Sequence, residues 1–130
     1  MDSDAKNYRP TVLIVDDESI IADTLTEILN QNGYEATAAY DGEEAIETAL
    51  VKPPHMLITD VMLPGMNGIE LATTMRRIFP ECKVLLFSGH TQTRDLLLSS
   101  ANGSGHHFEL LSKPVHPADL LKRLATTFQS

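Results

Sequence analysis

The sequence predicts an α/β protein, a doubly wound (βα)5 unit built on a five-stranded parallel sheet. Three observations predict it. Short apolar runs rich in β-branched residues alternate with segments whose apolar residues recur at helical spacing. The runs are apolar throughout rather than at every second residue, as expected of strands covered on both faces. Polar residues capable of chemistry close several of these runs, and in an open parallel sheet the strand C-termini share one crevice where ligands bind.

Taken in order, Thr11 to Val15 (TVLIV) is too short for a helix and reads as the first strand, stopping at Asp16. From Ser19, the positions Ile20, Ile21, Leu25, Ile28 and Leu29 mark a helix that Asn32-Gly33 ends with a left-handed stop. Tyr34 to Ala39 is the second strand, and Asp41-Gly42 turns into a helix carrying Ala45, Ile46, Ala49 and Leu50 up to Pro53-Pro54. Met56 to Thr59 (MLIT) is the third strand, followed by Asp60 and a loop from Leu63 to Gly68. The next helix shows Ile69, Leu71, Ala72, Met75, Ile78 and Phe79 before Pro80, and Lys83 to Phe87 (KVLLF) is the fourth strand, ending at Ser88-Gly89. A fourth helix is expected over Thr91 to Ala101, leading into the Gly/Ser-rich Asn102 to Gly105. Phe108 to Ser112 is the last strand, and after Lys113-Pro114 a final helix opens at Pro117 with Leu120, Leu121, Leu124 and Phe128 inward. Right-handed crossovers that leave the Asp-bearing first and third strands side by side give a flavodoxin-like order, 2-1-3-4-5.

Composition bounds the rest. At 130 residues the chain is one domain's worth, enough for a core burying about two-thirds of the unfolded surface, with no repeat and no linker. Residues 1–9 are polar and read as a disordered N-terminal tail. A hydrophobic fraction of 42% with 22% charged residues is that of a soluble globular protein, and no run approaches the roughly 20 apolar residues that span a bilayer. The lone Cys82 cannot form an internal disulfide, which fits a reducing, cytoplasmic home without membrane association. A net charge of -8 argues against direct nucleic-acid binding, which needs cations in excess to displace counterions, and favours protein and cation partners.

The strand ends carry the chemistry. Asp16, Asp17 and Glu18 are consecutive carboxylates that repel one another unless a cation or solvent intervenes, although acids at a helix start also serve as caps. Asp60, ending another strand, tips the balance toward a hard cation such as Mg²⁺, which binds through one or two carboxylates plus a phosphate. Ser88 offers a hydroxyl to the same crevice or caps a turn; Lys113 offers an ammonium point charge or is an exposed strand-end lysine. Metal carboxylates, an acceptor carboxylate, a hydroxyl and an ammonium are together the parts of an acyl-phosphate site. His106 and His107 read as solvated loop, since no third metal ligand accompanies them.

With these residues in place the chain resembles the receiver domain of two-component response regulators from about Thr11 to Phe128. The resemblance rests on VDDE at Val15 to Glu18, the stretch Asp60 to Gly68, FSG at Phe87 to Gly89 and LLSKP at Leu110 to Pro114. It implies a single receiver domain over residues 10–130, with Asp60 phosphorylated from a sensor histidine kinase, a phosphotransfer protein or a small phosphodonor. It implies further that Asp17 binds Mg²⁺ directly, Asp16 assists through water and the Met62 backbone carbonyl completes the protein ligands. Ser88 and Lys113 would each hold a phosphoryl oxygen, and the Lys113-Pro114 peptide would be cis. Such a domain is no enzyme beyond its own aspartyl phosphorylation and dephosphorylation, and a downstream protein reads its state.

The sequence departs from the family at Leu110, where receivers carry Tyr or Phe as a rotameric switch three residues before the lysine. Phe108 shares its strand parity. The alternative is therefore a receiver-like interaction or scaffold domain with little phosphorylation-dependent switching. An aspartyl phosphatase is disfavoured, because the position two residues after Asp60 that would hold its acid/base is Met62. Met62 and His90, two after Ser88, are expected to flank the phosphoryl group. The chain ends with its last helix, which reads as a stand-alone receiver.

Overall fold

The computed structural model describes residues 8–89 and 108–129. Its elements are β1 (Thr11–Val15), α1 (Ser19–Asn30), β2 (Glu35–Ala39), α2 (Gly42–Val51), β3 (Met56–Asp60), α3 (Gly68–Ile78), β4 (Lys83–Ser88), β5 (Glu109–Ser112) and α4 (Pro117–Gln129). The five strands form one parallel sheet in the order β2-β1-β3-β4-β5, as the alternation predicts. The helix expected over 91–101, the stretch 102–105 and the residues His90, His106 and His107 lie outside the described residues.

Alternating side chains of the central strands divide the core into two layers. Leu13, Val15, Leu57 and Leu86 meet Ala45 and Ala49 of α2 and Leu71, Ala72 and Met75 of α3 on one face. Val12, Ile14, Ile58, Leu85 and Phe87 meet Leu25 and Leu29 of α1 and Leu120 and Leu124 of α4 on the other. Burying each of these large side chains is worth about 1.5–3 kcal/mol, which explains why the inner positions of β1, β3 and β4 are apolar except for the buried Thr59. β5 is partly exposed along its length, and its apolar residues split between the layers: Leu110 faces the α3 side, Leu111 the α4 side.

Helix starts follow side-chain chemistry. Asp41 accepts from the Glu44 N–H at 2.8 Å to open α2, and Asn67 with Glu70 forms a reciprocal capping box on α3. Each satisfies backbone donors that a helix leaves unpaired. Helix α1 ends at Asn30, and Gly33 then takes a positive φ of 96° to turn the chain into β2. Tyr8 and Arg9, the last residues of the expected tail, are docked: the Arg9 guanidinium donates to the carbonyls of Asn30 and Tyr34 at 2.5 Å each. The Lys113-Pro114 peptide is cis. No described helix is long and apolar enough to cross a membrane.

Candidate functional site

Strand pairing brings the sequence-predicted residues together at the C-terminal edge of the sheet. Val15 pairs with Thr59, so the next residues, Asp16 and Asp60, stand side by side although distant in sequence. Asp60 in turn pairs with Phe87 and Ser88 with Ser112, which puts Lys113 one residue beyond the neighbouring strand end. The Lys113 N–H donates to the Ser88 carbonyl at 2.9 Å and fixes that approach.

From there the Lys113 ammonium reaches across the edge. Nζ lies 2.8 Å from Asp60 Oδ2 and 3.4 Å from Asp16 Oδ2, bridging the two carboxylates. The other oxygen of each is held by backbone: Asp16 Oδ1 accepts from the Glu18 N–H at 2.9 Å and Asp60 Oδ1 from the Met62 N–H at 3.2 Å. Asp16 therefore caps the turn inside the site and not α1, whose N-cap Glu18 makes no side-chain cap. Carboxylate oxygens of Asp16, Asp17 and Asp60 lie within 4.8 Å of one another. Asp16 is 1% exposed and Asp60 8%, while Asp17 is open to solvent, so a cation could enter from the Asp17 side. All-oxygen donors with an open flank fit Mg²⁺, which keeps several waters.

Electrostatics show the cost of this arrangement. Burial raises the Asp16 pKa above its ordinary value of 3.8, the Asp60 charge adds to the rise, and the Glu18 N–H and Lys113 only partly offset it. For Lys113 burial pulls downward, but hydrogen bonding to Asp60 and the charges of Asp60 and Asp16 lift its pKa above 10.5. The difference follows exposure. The Lys113 side chain is 25% open to water and pairing prevails, whereas the Asp16 side chain is 1% open and desolvation prevails.

Ser88 is buried at the end of β4, beside this cluster. Met62 is 58% exposed, leaving its side chain at the rim. Phe108 and Leu110 pack against the same core layer, but Phe108 lies before β5 with the Arg76 guanidinium 5.4 Å over its ring. That cation–π contact, together with the Arg76 bond to the Cys82 carbonyl, ties Phe108 to the start of β5, away from Lys113 beyond its end.

Gly68, which closes the motif stretch that begins at Asp60, supports the site through its backbone. A Cβ there would fall 2.1 Å from the Asp60 carbonyl oxygen and 2.8 Å from Val61 Cα, and its N–H donates to the Val61 carbonyl at 2.8 Å. The start of α3 thus lies directly on the backbone that carries Asp60, and only glycine allows the approach. The signal was present in the sequence as a glycine opening an amphipathic helix after a strand-end acid.

Against known proteins, a family model described as the response regulator receiver domain matches residues 12–125. The DNA-binding response regulator MtrA of Mycobacterium tuberculosis (strain ATCC 25618 / H37Rv) is 29% identical over 116 residues, 89% of this chain and 49% of the relative. The chain spans about half the length of the curated relatives it matches. Among solved structures, a two component transcriptional regulator AraC from Clostridium phytofermentans ISDg is 32% identical with a TM-score of 0.77, covering 92% of each chain. A response regulator receiver domain protein (CheY-like) from Methanospirillum hungatei JF-1 is 26% identical with a TM-score of 0.81, covering 94% of this chain and 95% of its own.

Proposed function

The chain belongs to the response regulator receiver domain family, and from that premise we propose that residues 10–130 act as a Mg²⁺-dependent phospho-accepting switch with Asp60 as the acceptor. The observation that carries this reading is the Lys113 ammonium bridging Asp60 and Asp16 beside the exposed carboxylate of Asp17.

A carboxylate oxygen of Asp60 attacks the phosphorus of a phosphohistidine on a sensor kinase or phosphotransfer protein. The new O–P bond forms as the P–N bond breaks, and the histidine nitrogen keeps the electron pair. Lys113 already holds one Asp60 oxygen, which orients the carboxylate and places positive charge where the phosphoryl oxygens arrive. Ser88 supplies a hydroxyl to one of those oxygens. Asp17 and Asp60 would hold Mg²⁺ directly with the Met62 carbonyl, and Asp16 would assist through water. Mg²⁺, when bound, neutralises charge on the carboxylates and the transferred group. The modified domain is read by a downstream protein in the cytoplasm, and its acidity leaves nucleic-acid contact to other chains or domains.

Intact-mass spectrometry after incubation with acetyl phosphate tests the proposal. The parent gains one phosphoryl group with Mg²⁺ and none with a chelator, and Asp60→Asn gains none. Equal modification of Asp60→Asn would overturn it.

A further inference from the structure

At the N-terminal edge of the sheet, remote from the acidic site, the His55 ring joins two segments. Its Nδ1 accepts from the Thr11 backbone N–H at 2.9 Å, and its Nε2 lies 3.2 Å from the Tyr8 hydroxyl, with the two rings edge-to-face at a centroid distance of 5.8 Å. The His55 backbone extends the ladder as well, donating to the Thr11 carbonyl at 2.8 Å and accepting from the Lys83 N–H at 3.0 Å. Pro53-Pro54 precede it, and the ring takes the place of the rung below β3 that would otherwise receive the Thr11 N–H.

A backbone N–H can only donate, so Nδ1 must carry its lone pair, and the ring proton sits on Nε2 facing the Tyr8 oxygen. A second proton could go only to Nδ1. It would point at the Thr11 N–H and replace a hydrogen bond with two opposed donors.

We propose that His55 is a pH-sensitive latch holding the Tyr8 side chain and the Thr11 amide at this edge of the sheet. Other ionisable groups adjoin it. Tyr8 comes from the N-terminal segment, Lys83 begins β4, and Glu81 and Cys82 share with His55 a groove of about 330 Å³ beneath α3. Glu81 is the acidic residue that lines that groove. Arg9 and the Pro10 carbonyl, bonded to the Tyr34 carbonyl and the Glu35 N–H respectively, keep their own anchors on the β2 side. Acid release is therefore confined to Tyr8, His55 and the Thr11 amide.

The test is amide hydrogen exchange of the full chain by NMR, corrected for intrinsic rates, between about pH 7.5 and about pH 5. Thr11 protection in the parent falls about tenfold or more on acidification. His55→Gln, which cannot titrate, shows no such fall, and amides of Leu13 and Ile58 hold their protection in both proteins. A parallel ¹⁵N measurement at the higher pH finds the ring proton on Nε2. Thr11 protection that is independent of pH in the parent, an equal fall in His55→Gln, or a ring proton on Nδ1 would each overturn the latch.

Discussion

The two ends of the sheet finish the same parallel ladders by opposite means. At the N-terminal edge the backbone is closed by an uncharged ring, His55 on Thr11, and by prolines, which have no N–H that needs an acceptor. At the C-terminal edge it closes on Asp16, Asp60 and Lys113, which are ionisable, crowded and largely withdrawn from water. The fold would be served by either solution. The acidic one stores electrostatic strain that a divalent cation can relieve, and that difference separates the two ends.

Glycines at the two ends give the largest expected contrast. Gly68→Ala puts a methyl group into the Asp60 backbone and costs about 3 kcal/mol, while Gly33→Ala meets open space and costs about 1 kcal/mol through its positive φ alone. Urea denaturation of both variants measures the gap, and acetyl phosphate labelling is lost only with Gly68→Ala.

Asp16→Asn should stabilise the metal-free protein near pH 7, because burial opposes the charged form of Asp16 while Lys113 keeps Asp60 as its partner. A folded pKa raised above 3.8 means that the protonated form adds stability below that value, which is lost as pH rises through the raised value. The advantage of the variant therefore vanishes near pH 3 and grows upward, as thermal melts across pH would show. Next in size, Mg²⁺ at ten times its dissociation constant should raise parent stability by about 1.4 kcal/mol by binding only the folded state. Asp17→Asn should blunt that response in the same melting experiment.

Met62 offers the finest comparison, since its exposed thioether stands at the rim of the acidic end. If that apolar side chain limits the approach of water to phosphorylated Asp60, Met62→Asn should speed dephosphorylation by about tenfold or less, an effect of about 1.4 kcal/mol on the barrier. Phosphate release measured after quenching the donor decides it, and equal lifetimes would remove Met62 from that role.

Much of this contrast was legible in the sequence, for identifiable reasons. Strands buried on both faces spell themselves as unbroken apolar runs, so TVLIV, MLIT and KVLLF located β1, β3 and β4, and the acids closing two of them located the site. Adjacency along the chain could not tell which of Asp16 and Asp17 turns inward, because that depends on strand parity and on the Glu18 N–H that captures Asp16. The motif that ends at Gly68 did not show its contact with the Asp60 carbonyl, because that contact joins the start of α3 to the end of β3 across a loop. At the other edge nothing in the sequence linked Tyr8 to His55, since a side chain substituting for a ladder rung leaves no periodic trace. β5 was read one residue long at its start, because Phe108 is apolar yet lies outside the ladder under Arg76.

The central claim is that Asp60, and neither of its acidic neighbours, accepts the phosphoryl group. Borohydride reduction after acetyl phosphate treatment converts an acyl phosphate to homoserine, which peptide sequencing by mass spectrometry can place among Asp16, Asp17 and Asp60. The account predicts homoserine at position 60 alone, formed with Mg²⁺ and abolished by a chelator. Homoserine at position 16 or 17, or at position 60 to the same extent without metal, would contradict it.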